Sequence, residues 1–140
     1  NDAQKLVIAQ KIITRFGEDL TGFTFGIWGL AFKPGTDDMR EAPAIYVIKE
    51  LVKRGAKIKA YDPKATDEAK KHYLKGVPNL TYLASKYDVL KDSDALVLLT
   101  EWKEFRSPDF NEIESLLINP VIFDIGLIDH LIELKPPSKD

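Results

Sequence analysis

The alternation of apolar runs with amphipathic helical patterns constrains the fold of this chain more than any other feature. Two runs, Phe23 to Leu30 and Ala95 to Thr100, are apolar almost throughout, as in strands that are buried on both faces. Around them lie segments whose apolar residues recur at helical spacing, and the clearest is Glu41 to Arg54. Strands that alternate with helices form right-handed βαβ units and a parallel sheet. The sequence therefore predicts an α/β fold with three layers, a parallel sheet flanked by helices, preceded by an N-terminal helix.

The same patterns predict the bounds of the individual elements. The expected helices are Ala3–Phe16, Glu41–Arg54, Thr66–Leu74 with Thr66 as N-cap, Ser85–Lys91, and Asp109–Leu117 with Asp109 as N-cap. The expected strands are Phe23–Leu30, Lys57–Tyr61, Asn79–Leu83, Ala95–Thr100 and Val121–Asp124. We expect one domain over residues 21–132 and a disordered tail over residues 133–140, which contains two consecutive prolines.

Composition excludes several classes of function. The net charge of -2 provides no basic field for nucleic acid or an anionic membrane, and no apolar run approaches the ~20 residues that span a bilayer. The 140 residues contain no cysteine, which excludes disulfides, a thiolate nucleophile and thiolate metal sites. The two histidines, His72 and His130, are far apart, so we expect no metal site. The chain starts at Asn1 without a methionine, and we expect it to be a piece of a longer protein.

The segment Gly29–Arg40 has the composition of a loop that meets a ligand. It follows a buried strand, precedes a helix, and contains glycine, lysine, Pro-Gly and paired aspartates. Ligands of doubly wound sheets bind at the carboxyl ends of strands and near helix N-termini. Its spacing matches neither the P-loop nor GxGxxG. The segment therefore predicts a ligand site and leaves the ligand class open.

A doubly wound strand order makes the first and fourth strands neighbours, which places Phe32 and Lys33 beside Thr100, Glu101 and Trp102. A lysine suits a phosphate as a compact charge, and an aromatic ring can cover a base or a sugar. In this arrangement Glu101 and Trp102 line the rim of the cleft. An alternative without a ligand fits the same residues equally well: the lysine is solvated, and the tryptophan closes the edge of the core.

The acidic residues near this edge also have two interpretations. Asp38 can cap the helix that begins near Glu41, and Arg40 can pair with a neighbouring carboxylate. Asp62 ends the second strand, where an acidic residue of a nicotinamide-binding domain holds the ribose hydroxyls. An Asp-Pro turn explains it better, because the glycine fingerprint is absent. No nucleophile–base pair or carboxylate dyad is evident, so these residues indicate a binding domain.

Three motifs resemble the C-terminal UDP-binding domain of the UDP-glucose 6-dehydrogenase family. They are Gly29–Pro43, Lys59–Pro63 and Thr100–Arg106, and residues 1–20 resemble the end of the connecting helix of that family. The first motif is common to nucleotide-sugar dehydrogenases, whereas the Thr-Glu-Trp segment is more typical of the UDP-glucose members. The resemblance implies a Rossmann-like fold for residues 21–132.

The resemblance also implies a cytoplasmic, homo-oligomeric parent oxidoreductase with an N-terminal NAD domain and a helical central domain. That enzyme oxidises UDP-glucose with two NAD+ to UDP-glucuronate through a cysteine thioester. By position, Phe32 and Lys33 are implied as UDP-sugar contacts and Arg40 as a residue that reaches toward NAD. Because the NAD fingerprint and the cysteine are missing, we expect the isolated chain to be catalytically silent and not to bind NAD alone.

One position departs from the family pattern. Gly126 stands where the family has a substrate-binding arginine, so a substrate cation is lost. Two other functions remain open at this stage. The chain can be a stand-alone NAD-binding module with Asp62 on the ribose, or a non-catalytic assembly domain.

Overall fold

The structure, a computed structural model, describes the backbone of residues 2–124 and 131–133 and the side chains of residues 7–124. Gly126, His130 and residues 134–140 of the expected tail lie outside the described residues. The helices are α1 (Asp2–Phe16), α2 (Pro43–Lys53), α3 (Thr66–Glu68, continued by a π turn over Ala69–Tyr73) and α4 (Phe110–Leu116), with a 3-10 turn at Lys103–Phe105. The strands are β1 (Thr24–Trp28), β2 (Lys57–Tyr61), β3 (Leu80–Tyr82), β4 (Ala95–Leu98), β5 (Val121–Asp124) and β6 (Leu131–Glu133).

The six strands form one sheet in the order β3-β2-β1-β4-β5-β6. Strands β1 to β5 are parallel, and β6 pairs antiparallel with β5. The predicted α/β class and parallel sheet are confirmed. The sequence patterns missed β6, because three residues are too few to display a period. The strand order reverses between β1 and β4, and this is the switch point at which ligands of doubly wound sheets bind.

Apolar residues cover both faces of the sheet. On one face, the Phe16 ring at the end of α1 meets the rings of Phe25 on β1 and Phe123 on β5, with centroids 5.2 and 6.3 Å away. On the other face, Trp28 stacks on Phe105 at 4.9 Å. Burial of the β1 side chains on alternate faces requires an apolar residue at nearly every position, which explains the apolar run.

The helix predicted over Ser85–Lys91 is wrong, since these residues form consecutive turns. Side chains take the carbonyls that a helix would use. The carbonyl of Lys86 accepts the indole N–H of Trp28 at 2.8 Å, and that of Val89 accepts the Ser93 hydroxyl at 2.7 Å. The segment also passes so close to Gly26 that a Cβ there would lie 2.6 Å from the Val89 oxygen.

The predicted helix Thr66–Leu74 is present only as one α turn and a π turn, and its N-cap is Ala65 rather than Thr66. The Thr66 hydroxyl donates to the carbonyl of Asp62 at 3.2 Å instead. By contrast, Asp109 caps α4 as predicted, with its Oδ1 accepting the N–H of Glu112 at 3.1 Å.

Candidate ligand site at the carboxyl edge of the sheet

The loop after β1 crosses directly over the end of β4. Gly29 has a φ of 101°, and its N–H donates to the carbonyl of Tyr61 at 2.8 Å. A Cβ at Gly29 would lie 2.6 Å from backbone and side-chain atoms of Thr100. The Thr100 hydroxyl in turn donates to the carbonyl of Ala31 at 2.6 Å. Only glycine permits both this backbone conformation and this close approach.

Asp62, at the end of β2, is the buried centre of this edge and is 5% exposed. Its Oδ2 accepts the N–H groups of Leu30 at 2.7 Å and Ala31 at 3.0 Å, and the indole N–H of Trp102 at 3.2 Å. Its Oδ1 accepts two N–H groups of the following turn, from Lys64 at 2.8 Å and Ala65 at 2.7 Å. One carboxylate therefore joins the segments that follow β1, β2 and β4.

Two further amides of the loop find their acceptors within the loop. The N–H of Phe32 donates to the carbonyl of Asp38 at 2.8 Å, and the N–H of Asp38 donates to the Thr36 hydroxyl at 3.0 Å. With the amides of Leu30 and Ala31 held by Asp62, three consecutive amides have partners inside the protein. The loop therefore does not offer these amides to a phosphate, unlike a P-loop. At these three positions only side chains are available to a ligand.

Phe32 and Lys33, the sequence-predicted substrate contacts, are both exposed on this loop. Phe32 is 50% exposed, and within the described side chains it is one of three large apolar residues in that state. An exposed phenylalanine next to a lysine, on a loop fixed by buried hydrogen bonds, offers a ring face and a cation together.

Arg40, the sequence-predicted cofactor contact, forms an ion pair with Asp38. Its guanidinium NH2 lies 2.8 Å from Asp38 Oδ2, and the Arg40 side chain is 79% exposed. The hydrogen bonds from this guanidinium, and then the one from the Arg40 backbone N–H, lower the pKa of Asp38 from 3.8 to about 2. The predicted cap on α2 is wrong, because α2 begins after Ala42 without a side-chain cap. The predicted pairing of Arg40 with a carboxylate is present.

Glu101 and Trp102, the sequence-predicted rim, line a cavity of about 420 Å³ between the sheet and the segment 103–113. Glu101 is exposed, whereas Trp102 is 9% exposed and turns its indole N–H to Asp62. Neither Phe32 nor Lys33 is among the described residues that line this cavity. The other lining residues are Trp28, Leu96, Leu98, Phe105, Arg106, Pro108, Phe110, Ile113, Ile122 and Asp124.

The 3-10 turn that covers this cavity is tied to two strand-end segments. Glu104 Oε2 accepts the Tyr61 hydroxyl at 3.0 Å, and the Glu104 carbonyl accepts Lys86 Nζ at 2.8 Å. Burial, followed by the bond to Glu104, raises the pKa of Tyr61 to about 12. Sequence reasoning did not identify Arg106 or Phe110 at the cavity, although the aromatic and basic residues of the segment 102–110 were a usable signal.

Among residues 7–124 no three His, Cys, Asp or Glu side chains come together as metal ligands. Within the described part of the chain, no helix combines the length and apolar character needed to span a bilayer.

The sheet order and the loop at its switch point define a Rossmann-like α/β domain. Comparison with known proteins identifies it further, because residues 26–130 match the model of the UDP-glucose/GDP-mannose dehydrogenase family, UDP binding domain. The chain belongs to this family. Its match to the UDP-glucose 6-dehydrogenase of Pseudomonas aeruginosa is 40% identical and covers 89% of the chain and 28% of the relative. The match to the same enzyme of Rhizobium meliloti is 38% identical with the same coverage.

Solved structures agree with this assignment. A UDP-glucose dehydrogenase from Pyrobaculum islandicum superposes with a TM-score of 0.73 at 29% identity, over 89% of this chain and 26% of that one. The chain thus spans a little over a quarter of the length of the relatives it matches, as the resemblance of its motifs implied.

Proposed function

We propose that this chain binds the UDP moiety of a nucleotide sugar through Phe32 and Lys33, as the UDP-binding domain of a UDP-glucose 6-dehydrogenase. One observation carries the proposal. The amides of Leu30, Ala31 and Phe32 are bonded to Asp62 and Asp38, and these bonds fix a loop whose Phe32 and Lys33 side chains are exposed at the switch point.

The chemistry of the two side chains suits a nucleoside diphosphate sugar. The Lys33 ammonium is a compact cation that offsets pyrophosphate charge, and the half-exposed Phe32 ring offers a flat apolar face to a base or a sugar. Arg40, on the same loop, is the residue that would contact the cofactor supplied by the rest of the parent enzyme. Its pairing with Asp38 holds the guanidinium at the start of α2.

The parent enzyme that we propose is a cytoplasmic homo-oligomer that converts UDP-glucose to UDP-glucuronate, and NAD would supply the hydride acceptor for that conversion. Residues 1–20, with α1 (Asp2–Phe16) as their helical part, are the end of a connection from a central domain, and residues 21–132 form the UDP-binding domain. The chain itself contributes binding and not turnover, because its 140 residues include no cysteine to form a thioester. Asp62 does not fit NAD, since both of its oxygens already accept N–H groups of the chain.

Calorimetry with UDP-glucuronate tests the proposal. Loss of the charge-assisted bond in Lys33→Ala is expected to cost about 1.5–3 kcal/mol, which is about a ten- to hundred-fold rise in Kd. The matched control is Lys75→Ala, which removes another exposed lysine away from this edge and leaves the Kd unchanged. An equal Kd for wild type and Lys33→Ala, or tighter binding of NAD than of UDP-glucuronate, would contradict the proposal.

A further inference from the structure

Asp62 differs from Asp94, the other buried aspartate among the described side chains, in the number of segments it joins. Asp94 is 8% exposed, and its Oδ2 accepts one backbone N–H, that of Thr24 at the opposite end of β1. Asp62 accepts five N–H groups from three segments. The two oxygens of a carboxylate can accept all of these N–H bonds and so replace the water molecules that would otherwise hydrate the donors. A neutral side chain with one accepting oxygen cannot do this.

We propose that Asp62 is a positioning residue for the nucleotide-sugar site and acts through the loop that carries Phe32 and Lys33; this inference rests on the proposed function. The two loop amides that it accepts belong to Leu30 and Ala31, the residues immediately before that pair. Both residues are fully buried, so their N–H groups have no access to water in place of the carboxylate.

Removal of the acceptor forces the loop to move. The amides of Leu30 and Ala31 would be left without partners in an apolar environment, and the loop would leave the core to hydrate them. Because Lys33 lies only two residues beyond Ala31, its ammonium would lose its fixed position. Asp62 thus determines ligand affinity without touching the ligand.

The substitution Asp62→Asn tests this with little change in volume. An amide has one accepting oxygen, so it can serve either the loop amides or the turn amides of Lys64 and Ala65. The NH2 group of the asparagine then faces the N–H donors of the other set, and it cannot accept a hydrogen bond from them. We expect UDP-glucuronate affinity to fall at least about ten-fold.

A mutant cycle separates positioning from general destabilisation. If Asp62 acts by placing Phe32 and Lys33, Asp62→Asn in a background that carries both Phe32→Ala and Lys33→Ala lowers affinity by no more than about three-fold, because both contacts are already gone. A purely structural role would give the same loss in both backgrounds and would overturn the proposal. Asp94→Asn is the matched control, and it is expected to lower thermal stability while the Kd stays unchanged.

Hydrogen exchange provides a readout that does not depend on ligand binding. In the wild type, the amides of Leu30 and Ala31 are expected to exchange as slowly as those of β1, although they lie beyond its last residue. In Asp62→Asn they are expected to exchange faster while the β1 amides stay protected. Rapid exchange of these two amides in the wild type overturns the proposal even if Asp62→Asn fails to fold. If exchange behaves as expected but the wild type does not bind UDP-glucuronate, the proposed function fails and the structural link remains.

Discussion

Asp38 and Arg40 lie two residues apart on the exposed side of the loop, and their pairing has a measurable electrostatic consequence. The pKa of Asp38 is lowered to about 2, first by the guanidinium hydrogen bonds and then by the Arg40 backbone N–H. Because the folded pKa lies below the ordinary value of 3.8, the ionised pair favours the folded state above about pH 4. That contribution is lost as the pH falls toward 2.

Carboxyl-carbon NMR titration checks this shift. We expect a midpoint of about 2 for Asp38 in the wild type and a clear rise in Arg40→Ala. Lys33→Ala is the comparison variant, because Lys33 acts on Asp38 by charge alone and makes the weakest contribution to the shift. It should move the midpoint less. A midpoint that Arg40→Ala leaves unchanged would contradict the pairing.

Gly29 and Gly35 provide a second test at the residue scale, because both have positive φ but only one is crowded. Gly35→Ala meets no atom within 4 Å, so it should cost only the left-handed backbone strain, roughly 1–2 kcal/mol. Gly29→Ala adds overlap with Thr100 backbone atoms at 2.6 Å, so its loss of unfolding free energy should be larger. Urea unfolding of the two variants measures the difference. Equal losses would mean that the loop does not cross Thr100 this closely.

Local chemistry in the sequence predicted part of this site. Glycine, Pro-Gly and paired aspartates marked the loop, and the pairing of Arg40 followed from its closeness to Asp38. The role of Asp62 was not predictable from spacing, because its partners Leu30 and Trp102 are 32 and 40 residues away. The same Asp-Pro dipeptide is compatible with a simple turn and with a buried aspartate that accepts five N–H bonds, so a single sequence does not distinguish the two.

At the scale of elements, the segments 85–91 and 109–117 show when a helical pattern is reliable. The pattern of α4 has its own cap, Asp109, so the helix forms where it was predicted. In the segment Ser85–Lys91, no described bond of Ser85 caps a helix, and the Trp28 indole takes the carbonyl of Lys86 from 58 residues away. That bond comes from the tertiary fold, which overrides local propensity.

Removal of the α4 cap should therefore destabilise the chain measurably. Asp109→Ala leaves the N–H of Glu112 without its side-chain acceptor, and we expect a loss of about 1 kcal/mol in unfolding free energy. Asn111→Ala is the matched control, since it lies exposed in the same turn and alanine favours helix there. Chemical denaturation compares the two variants. A stability of Asp109→Ala equal to that of the control would show that the cap contributes nothing.

At the scale of the whole molecule, the alternation of strands and helices was sufficient to predict the parallel sheet and its switch point. The right-handedness of βαβ connections leaves few ways to arrange five parallel strands. The cavity beside β4 and β5 was not predictable, because its walls come from separate strands and from the segment 103–113. Its volume depends on how these elements pack, and periodicity does not contain that information.

We propose that this domain binds the nucleotide and that the rest of the parent enzyme performs the chemistry, and this makes a prediction for the 140-residue chain. A ligand that binds only the folded state stabilises it, by about 2.7 kcal/mol at a hundred times its Kd. UDP-glucuronate should therefore raise the Tm of the wild type by several degrees, and NAD should leave it unchanged. At the same ligand concentration the rise should be smaller in Lys33→Ala, whose Kd is expected to be higher.

The same preparation should show no turnover when UDP-glucose and NAD are supplied together, as followed by NADH absorbance. The physical reason is the composition of the chain, whose proposed nucleotide surface is not accompanied by a thiol for the covalent step. A Tm increase without NADH formation is the expected pair of results. NADH formation would require an acyl acceptor other than cysteine within these residues, and a Tm increase with NAD alone would favour the nicotinamide-binding alternative. Because the Tm measures binding and the absorbance measures chemistry, each half of the prediction can fail separately.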